Sequence, residues 1–243
     1  MHRFYCPDIA STHMLTEEES RHCVRVLRLG EGDTLEVVDG RGVLYECRIT
    51  LAHPKKCAVE IVRSQAEAPH WHHFITLAVA PTKHLDRMEL MVEKCVEMGV
   101  DRIIPLRCRN SERTELKTER LSKIMVAAMK QSLKATLPQL DEMTPFSELM
   151  RHQPSGDRLI AYCDQELPRD QRVTLVGAYN PGHDVTVLIG PEGDFSPEEV
   201  EMALAAGFKP VTLGMSRLRT ETAAVMACAA IHTLDDCHKM NRI

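Results

Sequence analysis

"VLIGPEGDFSPEEVEMALAAGF", Val187 to Phe208, decides how this chain reads. The apolar run from Val185 to Gly190 has the composition of a strand buried on both faces. It breaks into Gly-Pro-Glu-Gly, after which Ser196, Pro197 and Glu199 supply an N-cap, a first-turn proline and a capping-box glutamate. Strand, glycine turn and capped helix form the unit of a parallel α/β sheet, and in such sheets ligands sit at the carboxyl ends of strands.

Two other turns qualify by the same rule, those after Cys163 and Gly214. "VTLGMSRLRTETA", Val211 to Ala223, repeats the arrangement of apolar strand, glycine and helix start. Gly190 and Gly193 are expected to take backbone angles closed to other residues and to let a ligand approach the main chain. Charge narrows the ligand. A phosphate cradle needs GxxxxGK[ST], with a lysine and free amides facing an anion, whereas this turn carries Glu192 and Asp194 and no base. A ligand with a ring, hydroxyls and net positive charge is compatible; so is a purely structural strand-to-helix turn.

Outward from these turns the chain has two patterns. From residue 73, "HFITLAVA", "RIIPLRC", "RLIAYC", "VTVLIG" and "KPVTLG" read as strands alternating with helices. In "DRMELMVEKCVEMG", Met88, Met91, Val92 and Cys95 share a face and Gly99 is the stop; "TERLSKIMVAAMKQSLK" ends before Pro138. The helix "ETAAVMACAAIHTLDDC" has alanines at 223, 224, 227, 229 and 230 that leave room for close packing. Before residue 65 the pattern is a small β-barrel: "TLEVVDGRGVLYECRIT" reads as paired strands, "CAVEIVR" as another, and Thr16 to Glu19 as a capping box. "SQAEAPH", Ser64 to His70, is the linker, so the expected domains are 1–68 and 73–243. The histidines of "HWHH", His70 to His73, read as surface groups of that linker, since no acid or cysteine spacing suited to a metal follows.

With 243 residues, 44% of them apolar, and no bilayer-length apolar run or leader pattern, the chain reads as soluble and cytoplasmic. Its nine cysteines form no C-x-x-C pair and fit reduced thiols, Cys163 and Cys228 as small core residues. The net charge of −5 hides a basic stretch: Arg102 to Lys134 holds nine basic residues against three acidic, a local net charge of +6. That stretch is either a solvated helix face or a polyanion contact.

"LIGPEGDFSPEEVEMA", "LGMSRLRTETAAVMA", "EKCVEMGVDRIIPL", "KQSLKATLP" and "RHCVRVLRLGEGD" together resemble, in order and spacing, the bacterial 16S ribosomal RNA uridine-N3 methyltransferases of the RsmE type. The resemblance covers nearly the whole chain. It implies an α/β fold: a SPOUT-class domain with a deep trefoil knot, preceded by a PUA-like RNA-binding β-barrel. It further implies a homodimer, no metal, and methylation of a uridine N3 in 16S rRNA of the assembled small ribosomal subunit. S-adenosyl-L-methionine would lie against Ile189, Gly190, Pro191, Glu192, Gly193, Leu213, Gly214, Met215, Leu218 and Thr222. Arg219 would stabilise the uracil anion, with Glu221 positioning it or acting as base. Arg3, Arg25, Arg28, Arg107, Arg109, Arg113, Lys130, Gln131 and Lys134 would hold RNA. Asp194 stands where the family usually has a second glycine, and Lys134 where it has arginine. Two other readings are a methyltransferase of the same class acting on another RNA position and a non-catalytic RNA-binding or ribosome-assembly protein.

Overall fold

The computed structural model describes residues 2–152, 154–162 and 172–240. The chain divides into two compact units, Met1–His70 with Val126–Leu137, and Trp71–Met125 with Pro138–Ile243.

In the first unit, strands β1 (Arg3–Tyr5), β2 (Thr34–Val38), β3 (Val43–Leu51) and β4 (Ala58–Ala66) form one sheet in that order. β1 runs parallel to β2, and the other pairs are antiparallel. The β2–β3 hairpin closes through Gly40 and Gly42, both at positive φ, with Asp39 Oδ1 accepting the N–H groups of Arg41 and Val43 at 2.8 and 3.1 Å. Between β1 and β2 lie α1 (Ile9–Thr12), α2 (Glu17–Arg21) and a π-helical turn, His22–Val26. Met14 bridges to Ala58 on β4, so one short connection joins the two outer strands of the sheet. Phe4, Ile9, Leu35, Val37, Ile49 and Val59 fill the core on its inner side.

Half of the expected capping box at Thr16 is present. Thr16 Oγ1 accepts the Glu19 N–H at 3.2 Å, but the Glu19 carboxylate accepts from Tyr5 N–H and from Lys130 Nζ instead of turning back to the cap. A buried carboxylate takes the partner with a positive charge. The linker is also shorter than its polarity suggests: β4 continues to Ala66, which pairs with Val43.

The second unit holds β5 (Ile75–Val79), α3 (Leu85–Met98), β6 (Arg102–Arg107), the first part of α4 (Thr118–Gln131), β7 (Gln139–Leu140), β8 (Thr144–Pro145), α5 (Phe146–Arg151), β9 (Asp157–Ala161), α6 (Leu175–Ala178), β10 (Val185–Ile189), α7 (Pro197–Ala205), β11 (Lys209–Val211) and α8 (Thr220–Met240). Its parallel sheet has the order β11-β9-β10-β5-β6-β7, with β8 also paired to β6. β5 and β10 are buried along their full lengths, as continuous apolar runs require in a sheet covered on both faces. The register puts Val211, Ala161, Ile189 and Val79 in one row across four strands. Their carboxyl ends are therefore level.

Two helices link the ends of this sheet. α3 leaves the carboxyl end of β5, buries Met88, Met91, Val92 and Cys95, and stops at Gly99 with φ 118°. A Cβ on Gly99 would stand 2.6 Å from the Trp71 ring, so conformation and space both demand glycine there. α8 starts where Thr220 Oγ1 donates to the Gly190 carbonyl at 3.0 Å, buries Ala224, Ala227, Cys228 and Ile231, and reaches the far end where His232 Nε2 lies 2.9 Å from the Gly99 carbonyl.

At that far end, the reading of the "HWHH" histidines as linker surface is corrected for His73, and Trp71 between them is an anchor of the second unit. Trp71 is buried, with its indole N–H shared between the Asp101 carboxylate oxygens at 3.0 and 3.2 Å. His73 is buried too, with Nε2 2.9 Å from Asp235 Oδ2, though not along a hydrogen-bond direction. Asp235 also accepts from the Tyr179 hydroxyl at 3.0 Å and from the Gly182 N–H at 2.8 Å. Cys163 and the turn after it lie outside the described residues.

Candidate active site

Above the level row of strand ends lies a cavity of about 290 Å³. Its walls come from five places: Arg87 in the first turn of α3, Ala161 and Tyr162 ending β9, Ile189 to Glu192 with Asp194 after β10, Val211 to Thr220 apart from Met215, and Ala223 on α8. Each enters because its strand ends at the same height. The site is thus built by the register, with residues far apart in the chain meeting over four adjacent strands.

The first loop owes its shape to residues other than those expected. Neither Gly190 nor Gly193 takes a positive φ; Asp194 does, at 62°. Gly190 is there for space, because a Cβ would stand 3.1 Å from the Phe195 ring, and Gly193 likewise lies against Asn110. Asp194 tolerates the left-handed conformation because its carboxylate accepts the Phe195 N–H at 2.8 Å, while its own N–H closes a turn onto the Pro191 carbonyl at 2.9 Å. The aspartate thus takes a left-handed turn of the kind glycine also serves. Beyond it, Ser196 and Glu199 make the full reciprocal capping box.

In the second loop Gly214 has φ 122°, and a Cβ there would meet nothing within 4 Å. Its glycine serves the backbone conformation and leaves the adjoining space open. Ile189, Pro191, Val211, Leu213, Leu218 and Ala223 provide apolar surface, while Glu192 and Asp194 oppose three guanidinium groups, Arg87, Arg217 and Arg219. Glu192 is held in place by the Lys83 N–H at 3.1 Å. Such a mixed wall suits a ligand that carries an apolar ring together with charges of both signs.

Of the ten residues named for the cofactor, seven line the cavity: Ile189, Gly190, Pro191, Glu192, Leu213, Gly214 and Leu218. Gly193, Met215 and Thr222 do not; Met215 is 62% exposed and Thr222 faces solvent on α8. Arg219 lines the cavity, exposed, and among the described residues its guanidinium makes no hydrogen bond or ion pair. Glu221 does not position it. That carboxylate is buried, and its ionic neighbour is Arg87, at 3.9 Å. Arg87 had no signal in the sequence beyond following a strand end, and Tyr162 had none; Ser216, Arg217 and Thr220 lie in the second loop singled out by the sequence, without a role assigned to them there.

Several of the basic residues named for RNA are already engaged. Arg3 is a buried clamp on Glu36 and Glu67, and Lys130 pairs with the buried Glu19 beside the Phe4 ring. Both therefore have a structural role in the first unit: Lys130 offsets the charge of the buried Glu19, and Arg3 is held between two partly exposed acids. Arg113 is tied to the carbonyls of Thr82 and Lys83 at 3.3 and 2.9 Å, and Arg109 pairs with Glu198 on the surface. Lys134 is half-buried, whereas Arg25, Arg28, Arg107 and Gln131 are exposed. The basic stretch therefore presents less free charge than its composition promises.

Residues 69–232 match the RNA methyltransferase domain family and residues 15–62 match the RNA methyltransferase PUA domain. A ribosomal RNA small subunit methyltransferase E from Synechocystis is 32% identical over 93% of this chain and 74% of that protein. The chain belongs to the RsmE family of RNA methyltransferases. Solved structures of RsmE-like proteins agree in shape. A probable rRNA-methyltransferase from Porphyromonas gingivalis is 46% identical, with a TM-score of 0.93 over 98% of this chain and 100% of that one. The ribosomal RNA small subunit methyltransferase E of Neisseria gonorrhoeae, bound to S-adenosyl methionine, is 29% identical with a TM-score of 0.84 over 96% of this chain and 98% of that one. In this RsmE-family chain the N-terminal unit is PUA-like and the second unit is the α/β methyltransferase domain. Among the described residues no group of three or more His, Cys, Asp or Glu could hold a metal ion, and no helix is long and apolar enough to cross a membrane.

Proposed function

We propose that this enzyme transfers a methyl group from S-adenosyl-L-methionine to N3 of a uridine in 16S rRNA of the small ribosomal subunit. The observation that carries the reading is the cavity over the level strand ends, walled by the two loops whose motifs characterise the family. The residues present fit the donor: open space beside Gly214 and apolar side chains for the adenosine, and Glu192 and Asp194 for the positive charges. When bound, the donor supplies an electrophilic methyl group. Arg219, which makes no side-chain hydrogen bond or ion pair among the described residues, stabilises the uracil anion left when the N3 proton departs to water, and the apolar walls strengthen that attraction by excluding solvent. N3 lies on the pairing edge of the base, so the uridine must be unpaired or swung out to reach the site.

We assign RNA holding to Arg25, Arg28 and Gln131 in the first unit and Arg107 in the second, the exposed members of the predicted set apart from Arg109, which pairs with Glu198. The loop from Thr212 to Arg219 carries the chain from β11, at the sheet edge, back to α8, which packs on α3, β5 and β10. That crossing supports a threaded, knotted arrangement. The exposed Leu90 on α3 and Met226 on α8 support a homodimer, and the fold class a cytoplasmic enzyme.

Calorimetry with S-adenosyl-L-methionine, light scattering of the same sample, and mass spectrometry of 16S rRNA from small subunits incubated with both test the reading together. The expected result is saturable binding, a dimer, and one methyl added at a uridine N3. Absence of binding heat, or methylation of a different base, would overturn it.

A further inference from the structure

Arg87 and Glu221 lie 134 positions apart in the chain and meet beside the cavity. Glu221 is 8% exposed, its Oε2 has no hydrogen-bond partner, and its Oε1 lies 3.9 Å from Arg87 Nε. A carboxylate buried in this way costs free energy unless a cation stands beside it, so Glu221 is tied to Arg87. The tie is one-sided: it engages the Nε edge and leaves both terminal amino groups of Arg87, a cavity-lining residue, without an acceptor among the described residues.

Arg87 differs from the other two cavity arginines. Arg217 and Arg219 are exposed on a loop with no ionic partner among the described residues, whereas Arg87 is two-thirds buried in the first turn of a 14-residue helix and carries a fixed counter-charge. Its planar fork is held in advance, and it stands at a helix N-terminus, where an anion is favoured. A preorganised guanidinium suits a ligand group that is always ionised and flat, a carboxylate, better than an anion that exists only at the moment of reaction.

Resting on the function proposed above, we propose that Arg87 binds the carboxylate of the donor's amino-acid end and that Glu221 is the positioning residue that holds Arg87 for it. The sources of an anionic oxygen at this position are the donor carboxylate, the uracil anion and an RNA phosphate. They separate by experiment.

The full-length protein is titrated with S-adenosylmethionine and with decarboxylated S-adenosylmethionine, which keeps the sulfonium and the amine. The wild type is expected to prefer the intact donor by roughly tenfold to a hundredfold, the worth of a hydrogen-bonded charge pair. Arg87→Gln removes that preference and leaves binding of the decarboxylated compound unchanged, while Arg87→Lys restores part of it. Glu221→Gln reduces the preference less than Arg87→Gln does. An Arg87→Gln protein with the wild-type preference overturns the proposal. If it also loses turnover, the uracil anion is the ligand; if the salt dependence of subunit binding falls, a phosphate is. Equal loss of both compounds overturns it as well, as damage to the cavity wall. A wild type that binds neither compound refutes the methyltransferase reading itself, and this inference with it.

Discussion

The two ends of the second unit's sheet use the same residue types for opposite ends. At the amino end, Asp235, His73, Tyr179 and Trp71 are buried, Asp101 is half-buried, and the five engage one another or the backbone. At the carboxyl end, Arg217 and Arg219 stand exposed without side-chain partners among the described residues, Glu221 keeps a bare oxygen, and Asp194 holds a left-handed backbone. α3 and α8 run between them: each lines the cavity with its first turn, and at the other end α8 supplies Asp235 while α3 stops at Gly99 against the Trp71 ring. Polar groups whose partners are all internal hold a fold; polar groups left wanting partners are available to a ligand.

The strongest way to break this contrast is Asp235→Ala. It removes the shorter of the two hydrogen bonds of the Gly182 N–H, leaving the one to the Tyr179 hydroxyl at 3.2 Å, weakens the tether of that hydroxyl and leaves a cavity beside His73, so urea denaturation is expected to show a loss of about 3 kcal/mol. A loss below about 1 kcal/mol would show the cluster to be dispensable. Next in size is Arg219→Ala. It is expected to lower methyl transfer roughly a hundredfold to a thousandfold while changing stability by no more than about 0.5 kcal/mol. A melting temperature that drops with the rate would place Arg219 with the structural groups.

The smallest effect concerns pH. Burial, opposed by the Asp235 charge, holds the His73 pKa below its ordinary 6.5. Below that value the unfolded chain binds a proton that the folded chain refuses, so stability declines as pH falls through and below about 6.5, by at most about 1.4 kcal/mol per pH unit for one proton. Asp101, whose pKa burial raises, acts in the opposite sense at lower pH, since its folded form takes up a proton first. Thermal melts at constant ionic strength check the trend, and His73→Asn is expected to flatten it between pH 7 and about 6. An unchanged slope in that variant would assign the trend to another group.

The sequence was informative wherever a short stretch settles its own conformation. Ser196 and Glu199 are three residues apart, and their mutual capping follows from helix geometry alone. The buried stripe of α3 and the glycine that ends it are local in the same sense. The resemblance then located eight cavity residues, seven named for the cofactor together with Arg219, because both loops keep their motifs within a dozen residues. It failed where a residue's role is set by what lies across the fold. Arg3 and Lys130 are basic like the RNA-facing arginines, and only their placement against Glu36, Glu67 and Glu19 makes them internal. His73 sits in a string of histidines that reads as solvent-exposed, yet Asp235, 162 positions on, lies against it.

By itself, then, the sequence determined strands, helix ends, the family and the two loops that face a ligand, since these rest on periodicity and caps acting within a turn or two of chain. The tertiary structure alone decided that Arg87 and Glu221 meet and that Asp194 does the work of a glycine. It alone decided which cations are left free. Charge and burial depend on neighbours brought together by strand register, and no local pattern carries that information.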